Sequence, residues 1–201
     1  MLTNYRVQCA PSSNASQLVL PETLTLLPLL LLSVVKNPAF RLLTVSKIDE
    51  KIYEIYRLIS LSMETFSYVL YPRMYKITDI GQNEDYGYTD EKTEMIVKPN
   101  LIPCQYSKTY YAETLLIDNG EFLTLFVGHK TPTEWLYEIF GVNDYQELRT
   151  AVSESATFVP SESETAELLN SFVEQVRYER TDGPTLPTRV VLYGTPQSQT
   201  V

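Results

Sequence analysis

Leu115-Leu116-Ile117-Asp118-Asn119-Gly120-Glu121-Phe122-Leu123-Thr124-Leu125-Phe126-Val127-Gly128 is the stretch that decides how the 201-residue chain folds. Two apolar runs flank Asp118-Asn119-Gly120, three residues whose short polar side chains and glycine supply turn chemistry. A hairpin follows, with strands expected over residues 109–117 and 121–127. The second run places Phe122, Leu123, Leu125, Phe126 and Val127 on both of its faces. No side is left for solvent, so this strand belongs in the interior of a sheet that is covered on both faces.

Downstream, the pattern alternates between short helices and a last strand. Thr131-Pro132-Thr133-Glu134 combines an N-cap residue, a proline at the first helical position and a capping-box glutamate, and Gly141 is placed to end that helix after Phe140. Another short helix is expected over residues 144–152. Ser161 with Glu164 opens a longer one whose buried stripe is Ala166, Leu169, Val173 and Val176. Residues 188–193 are β-branched and apolar and form the final strand. The order expected for this part is β, β, α, α, α, β.

Upstream, residues 79–105 are polar, contain Gly81, Gly87, Pro99 and Pro103, and read as a long loop or linker. Before them the period is helical. Residues 21–35 are apolar nearly all round, which is the pattern of a helix buried on several sides, and Pro28 bends or divides it near Leu26. Ser46 with Asp49 resembles a capping box, and Ile48, Ile52, Ile55, Ile59, Met63, Phe66 and Leu70 follow at steps of three or four. One stripe of a helix over residues 46–70 is thus expected to face a core. It stops by Tyr71, because Pro72 disfavours helical geometry in the residue before it. The chain is therefore expected to be α+β in two parts, a helical one over 1–78 and a mixed-sheet one over 79–201.

Charge divides at the same place. Residues 1–78 carry 8 Lys/Arg against 5 Asp/Glu, net +3, and residues 79–201 carry 8 against 20, net −12, within a total of −9. An acidic second part gives no electrostatic reason to approach phosphate, so nucleic acid is not an expected partner. With only Cys9 and Cys104 present, neither a disulfide framework nor a paired-cysteine zinc site can be built, and a reducing cytosolic compartment fits. The sequon Asn14-Ala15-Ser16 is read as unused. The uncharged run over residues 23–35 is too short to cross a bilayer, since as a helix it would span roughly 20 Å against about 30 Å. It also lies late for a signal sequence, with Lys36 directly after it and no small-x-small cleavage pattern.

Nothing assembles into an active site. The single histidine, His129, lies in a Gly128-His129-Lys130-Thr131 turn, and there is no Gly-x-Ser-x-Gly elbow, phosphate-cradling glycine loop or His-Glu-x-x-His. Glu162, Glu164, Glu167 and Glu174 surround a helix start, where they favour the dipole and solvation. No catalytic, cofactor-binding or metal-ligating residue is assigned, and no enzyme activity is expected. Fifteen tyrosines, clustered as Tyr53/Tyr56, Tyr71/Tyr75, Tyr86/Tyr88 and Tyr110/Tyr111, suit half-buried seams or protein interfaces. Trp135, at the start of a short helix, reads as a core anchor.

Several strings resemble one family. Gln8-Cys9-Ala10-Pro11-Ser12-Ser13, Gln17-Leu18-Val19-Leu20-Pro21-Glu22 and Leu26-Leu27-Pro28-Leu29 are similar to the helical region of the Sec-twenty-four family, the COPII cargo adaptors. Tyr71-Pro72-Arg73-Met74-Tyr75 resembles the string that closes that region. Leu115 to Gly120, Leu125-Phe126-Val127-Gly128 and Ile139-Phe140-Gly141-Val142 resemble parts of the gelsolin-like domain that follows it. The resemblance runs from residue 5 to about 195. It implies a helical domain remnant followed by a gelsolin-like mixed sheet flanked by helices. It also implies a role in cargo selection and vesicle-mediated transport from endoplasmic reticulum to Golgi. The implied partners are the Sec-twenty-three sister subunit, the small GTPase that triggers assembly, and cargo. The implied location is cytoplasmic, at coated vesicles and endoplasmic reticulum exit sites, peripheral to the membrane.

Members of that family are several times longer, and their zinc finger, trunk and β-sandwich would lie upstream of anything in this chain. No zinc or other cofactor is therefore expected in this segment, and no cargo-binding residue is carried over. Two alternatives stand beside this reading. One is the sister coat subunit. The other is a gelsolin-type module that binds calcium or actin, for which Ala112-Glu113 stands where such modules carry Gly-Asp, with Glu134 or Glu138 as helical partners. Two carboxylates are few for an ion that takes six to eight oxygens. Finally, the all-round apolar helix over residues 21–35 predicts an exposed apolar patch in the helical part and self-association of the chain.

Overall fold

The computed structural model describes Asn4 and residues 22–40, 47–81, 86–92, 94–104, 114–154, 162–180 and 186–195. Two compact units emerge, Met1–Tyr56 and Arg57–Val201. In the first, a 3-10 turn over Glu22–Leu24 leads into helix α1, Leu27–Lys36, followed by a second 3-10 turn over Pro38–Phe40. Pro28 falls in the first turn of α1, where its missing N–H would lack a partner in any case. The expected division near Leu26 is thus a helix start.

The single helix expected over residues 46–70 is two: α2, Ile48–Ser60, and α3, Met63–Leu70. Ser62 breaks it. Its backbone is extended and its hydroxyl accepts a hydrogen bond from the Thr65 N–H, capping α3. The stripe expected to face a core does not: Ile48, Ile52, Ile55, Ile59 and Met63 are exposed. On α3 the buried residues are Thr65 and Tyr68 instead of Phe66 and Leu70.

The second unit is built on a five-stranded sheet in the order β2-β1-β3-β4-β5, with β1 Arg73–Lys76, β2 Leu101–Ile102, β3 Thr114–Asp118, β4 Leu123–Val127 and β5 Thr188–Leu192. All neighbours are antiparallel except β4 and β5. The hairpin β3–β4 pairs Leu116 with Leu125, as the turn at Asp118-Asn119-Gly120 requires. A parallel β4–β5 pair needs a long crossover, which is supplied by α4 (Thr133–Phe140), α5 (Tyr145–Glu154) and α6 (Glu164–Tyr178). The expected interior strand is therefore found, and every residue of β3 and β4 is buried. Phe122 lies just outside β4 and is half exposed, with Arg189 over its ring at 4.7 Å.

Alternation separates two cores. On one face Tyr75, Leu116, Leu123, Leu125, Val127, Val190 and Leu192 meet Trp135, Leu136 and Ile139 of α4 and Leu169, Phe172 and Val176 of α6. On the other, Met74, Leu115, Ile117, Phe126 and Val191 cluster. The helices α4 to α6 thus cover one face, and Trp135 is a core anchor as its position implied.

Local chemistry differs from the sequence reading at two helix starts. Thr131 does not cap α4, because its hydroxyl donates to the Gly128 carbonyl and lies 2.9 Å from the Thr114 hydroxyl. Ser163 is the N-cap of α6, accepting from the Ala166 N–H, while Ser161 lies outside the described residues. Residues 109–113 of the expected first strand also lie outside them.

Residues 73–76 fall within the part expected to be helical, 1–78, yet they form β1 and pair with β3. The stretch read as a linker, residues 79–105, contributes β2 and packs closely on α6, with Ile80 buried. A Cβ at Gly81 would lie 2.6 Å from the Thr165 hydroxyl, and one at Gly87 would lie 2.9 Å from Leu168.

Gly120 shows how tightly the hairpin turn is held. Its φ is +89°, and an added Cβ would lie 3.0 Å from the Thr65 carbonyl oxygen and 3.2 Å from the Tyr68 Cβ. Gly141 also has positive φ, +68°, but faces open space. Gly120→Ala is expected to cost about 1–3 kcal/mol from backbone strain plus the clash, and clearly more than Gly141→Ala. Urea unfolding of both variants beside the parent protein checks the order.

Candidate functional site

The most developed polar constellation among the described residues joins three elements of the second unit. Asp118 ends β3 and is 1% exposed at its side chain; Arg180 follows α6 and is 3% exposed. The Arg180 Nη1 donates to Asp118 Oδ1 at 3.2 Å, and the Gly120 N–H donates to the same oxygen at 2.8 Å. Arg180 Nη2 donates to Thr65 Oγ1 on α3 at 3.0 Å. The Tyr68 ring is flanked by two guanidinium groups, with Arg73 4.3 Å and Arg180 5.0 Å from its centre.

Burial raises the Asp118 carboxyl pKa, although the Gly120 N–H and Arg180 pull it down. Among the described residues, Asp118 Oδ2 has no hydrogen-bond partner. Burial likewise raises the Tyr68 phenol, with Arg73 opposing it and Glu64 assisting. Both charged side chains are almost fully buried and turned onto the protein's own groups, out of a substrate's reach. This constellation is a structural tie.

Two half-buried ion pairs support the same unit. Arg57 at the end of α2 makes a two-pronged contact with Glu121 in the hairpin turn, Nε to Oε1 at 2.7 Å and Nη2 to Oε2 at 2.6 Å. Lys98 pairs with Glu179 at 2.5 Å. At Glu179, burial pushes the carboxyl pKa up, but hydrogen bonds from Lys98 and Gln175 outweigh it and hold the group below its ordinary value of 4.5.

The residues singled out in the sequence are scattered. His129 is exposed in its turn, its ring 5.0 Å from that of Tyr193. Cys104 is exposed, and Cys9 and the Asn14 sequon lie outside the described residues. Glu134 and Glu138 are exposed on α4, while Ala112 and Glu113 lie outside the described residues. Among the described residues there is no group of three or more His, Cys, Asp or Glu able to hold a metal ion. No described helix is long and apolar enough to cross a membrane.

The tyrosine pairs divide by environment. Tyr75 is buried edge-on to Phe172, Tyr71 and Tyr86 are half-buried, and Tyr53 and Tyr56 stand exposed on α2. Tyr110 and Tyr111 lie outside the described residues.

The exposed surface is where this chain departs from an ordinary globular domain. On α1, Leu26 at its start, Leu29, Leu31, Leu32 and Val35 are exposed, which is the apolar patch the sequence predicts. On α2, the half-buried residues are Lys51, Glu54, Arg57 and Leu58, whereas the isoleucines are exposed. A surface helix normally turns its apolar stripe inward. Here it is turned outward. Sequence reading missed this, because periodicity identifies a stripe without saying which way it faces.

Comparison with known proteins agrees with the residues that carry the resemblance. The family model of the Sec23/Sec24 helical domain matches residues 1–68. The chain is 31% identical over 179 residues to the protein transport protein SEC24-1 of Candida glabrata, covering 88% of this chain and 19% of that protein. It is 31% identical over 144 residues to the protein transport protein SEC24 C of Arabidopsis thaliana, covering 72% and 12%. The chain belongs to the Sec24 family. It spans less than a fifth of the length of these two relatives. The fold agrees with that of the human COPII-coat protein Sec24c, with a TM-score of 0.70 at 18% identity over 99% of this chain and 24% of that one. In this Sec24-family chain the α+β architecture and the mixed sheet flanked by helices are therefore those the resemblance implies.

Two outcomes are expected from this geometry. Asp118→Ala leaves Arg180 buried without a counter-charge and should lower unfolding stability by about 3–5 kcal/mol, whereas Asp118→Leu combined with Arg180→Met should cost far less than the two single changes together. Denaturant titration of the three variants measures this. For Glu179, a pKa held down in the folded state gives stability that is present above about 4.5 and is lost as pH falls through the lower folded value. Lys98→Met should flatten that acid-side loss in a series of thermal melts from pH 7 downward.

Proposed function

We propose that this chain is a structural, non-enzymatic part of the COPII vesicle coat, serving protein transport from the endoplasmic reticulum to the Golgi as part of a cargo adaptor. The observation that carries this reading is the extent of the kinship. The match to a relative described as a protein transport protein covers 88% of the chain, so it takes in both the helical and the mixed-sheet parts. The surface agrees in kind: it offers apolar helix faces and a firmly tied sheet, and the polar cluster at its centre is consumed by internal bonds. A coat subunit needs surfaces that assemble. The partners in this reading are the sister subunit of the Sec23 type and cargo proteins. The location is the cytoplasmic face of endoplasmic reticulum exit sites and coated vesicles, peripheral to the membrane. Nucleic acid is not among the partners, given the net charge of −9.

A vesicle-budding reaction tests the reading. Microsomes from cells carrying the epitope-tagged protein are incubated with purified coat components, the coat GTPase and a non-hydrolysable GTP analogue, and vesicles are separated by flotation. The tagged protein is expected on the vesicles together with the Sec23-type subunit. Its absence from vesicles that do carry that subunit would overturn the assignment. A parallel melt with and without millimolar calcium is expected to show no change, because a ligand that binds only the folded state raises the melting temperature. A clear rise would favour the calcium-binding module.

A further inference from the structure

We infer that residues 105–113 cross the sheet of the second unit on the face turned away from α4–α6 and seat Tyr106, Tyr110 and Tyr111 on its apolar side chains. That face is thereby covered by the chain itself and is not where another subunit docks. The inference does not rest on the coat assignment.

It starts from burial. Met74, Leu115, Ile117, Phe126 and Val191 are between 1% and 4% exposed, yet among the described residues their cluster is made of strand side chains, with Ile102 and Tyr193 at its margin. Neighbouring strands shield one another's edges and leave the face open, so a face buried to this degree lies under a second layer, about 10 Å away. The helices α4 and α6 supply that layer on the opposite face.

Connectivity names the occupant. β2 and β3 are both antiparallel to β1, which lies between them, so they are parallel to each other. The connection over residues 103–113 therefore has β1 to cross, just as α4–α6 carry the chain from β4 to its parallel neighbour β5. Connections between parallel strands are right-handed in about 98% of cases. Both connections advance in the same direction across the strand order, but β2 and β3 point opposite to β4 and β5. Equal handedness then puts the two connections on opposite faces. With the helices on one, residues 103–113 take the other.

Length and direction agree. Ile102 is level with Met74 and Ile117, while Thr114 lies about 10 Å back along β3, with two strand spacings, about 10 Å, to cross. The residues between them reach roughly 36 Å at full extension, enough to pass over the face. The chain has already turned this way at Cys104, whose N–H donates to the hydroxyl of Tyr71, just before β1. A route around the outer edge of β2 would lead away from β1. The tyrosines suit the place, since each can set its ring on an apolar surface and keep its hydroxyl in water.

Nuclear Overhauser contacts in the 201-residue chain, labelled at Ile, Leu and Met methyl groups and with protonated tyrosine rings, test the inference. Ring protons of Tyr106, Tyr110 and Tyr111 are expected to reach the methyls of Met74, Leu115 and Ile117. Contacts of those methyls with another segment and not with the three tyrosines, or contacts of the tyrosines with Leu136, Ile139 or Leu169 on the helix side, would overturn it. Thiol labelling gives a second reading. Met74→Cys in a Cys9→Ser, Cys104→Ser background is expected to react slowly, and about ten-fold faster once Tyr110→Ala and Tyr111→Ala are added, while Ile139→Cys on the helix side stays slow. A Met74→Cys rate that does not change, in a chain whose Ile139→Cys stays slow, would also overturn it. Where the tyrosine changes unfold the chain and both thiols speed up, the methyl contacts of the parent chain decide.

Discussion

The buried pair of Asp118 and Arg180 is the constraint through which the second unit is assembled. Asp118 closes β3, Arg180 follows the last turn of α6, and Thr65 and Tyr68 belong to α3, so one charge pair fixes elements separated by 62 and 115 residues in sequence. Burying two charges is expensive, and replacing such a pair with packed apolar groups is often neutral or stabilising. What the pair contributes is therefore position more than stability. An apolar contact at the same place could slide by a residue. A guanidinium that must meet Asp118 and the Thr65 hydroxyl while lying over the Tyr68 ring has one solution. Gly120 shows the outcome, since its turn sits against α3 so closely that a methyl group would meet the Thr65 carbonyl oxygen.

That tie explains why some of the fold was legible in sequence and some was not. The hairpin, the three following helices and the last strand all announce themselves through period and turn chemistry, and β4 is buried on both sides as its continuous apolar run demands. The capping glycine at 141 likewise takes the left-handed conformation its place implies. In the sequence Asp118 presents turn chemistry only. Its second role depends on Arg180, and no local signal connects an aspartate at a strand end with an arginine 62 residues later. The single retrospective hint is that an arginine ends the apolar period of α6 where a residue facing the sheet belongs.

Two further differences share one cause, competition for hydrogen-bonding groups, and a third comes from packing. A long helix over residues 46–70 satisfies the hydrophobic period, but Ser62 offers its hydroxyl to the Thr65 N–H and starts a new helix. Thr131 is a good N-cap by type, yet its hydroxyl is taken by Gly128 and lies against Thr114. The stretch over residues 79–105 is polar and rich in turn formers, so it reads as a linker. Its glycines instead permit close approach to α6 at Thr165 and Leu168, and Ile80 goes into the core. Composition describes what such a segment can tolerate; the surface it meets determines what it does.

The two units differ in how they are stabilised, and the difference bears on function. The sheet unit has a core on each face, with Leu116, Leu123, Val127, Ile139 and Phe172 at or near zero exposure. Among the described residues of the first unit, Ala39 alone is buried. Helix α1 has 10 residues and α2, which begins in this unit, has 13, and isolated helices shorter than about 12–15 residues are marginal in water. Propensity alone cannot hold them, so their stability must come from whatever covers their leucines and isoleucines. A surface of that kind suits a component of an assembly, in which each partner completes the other's core.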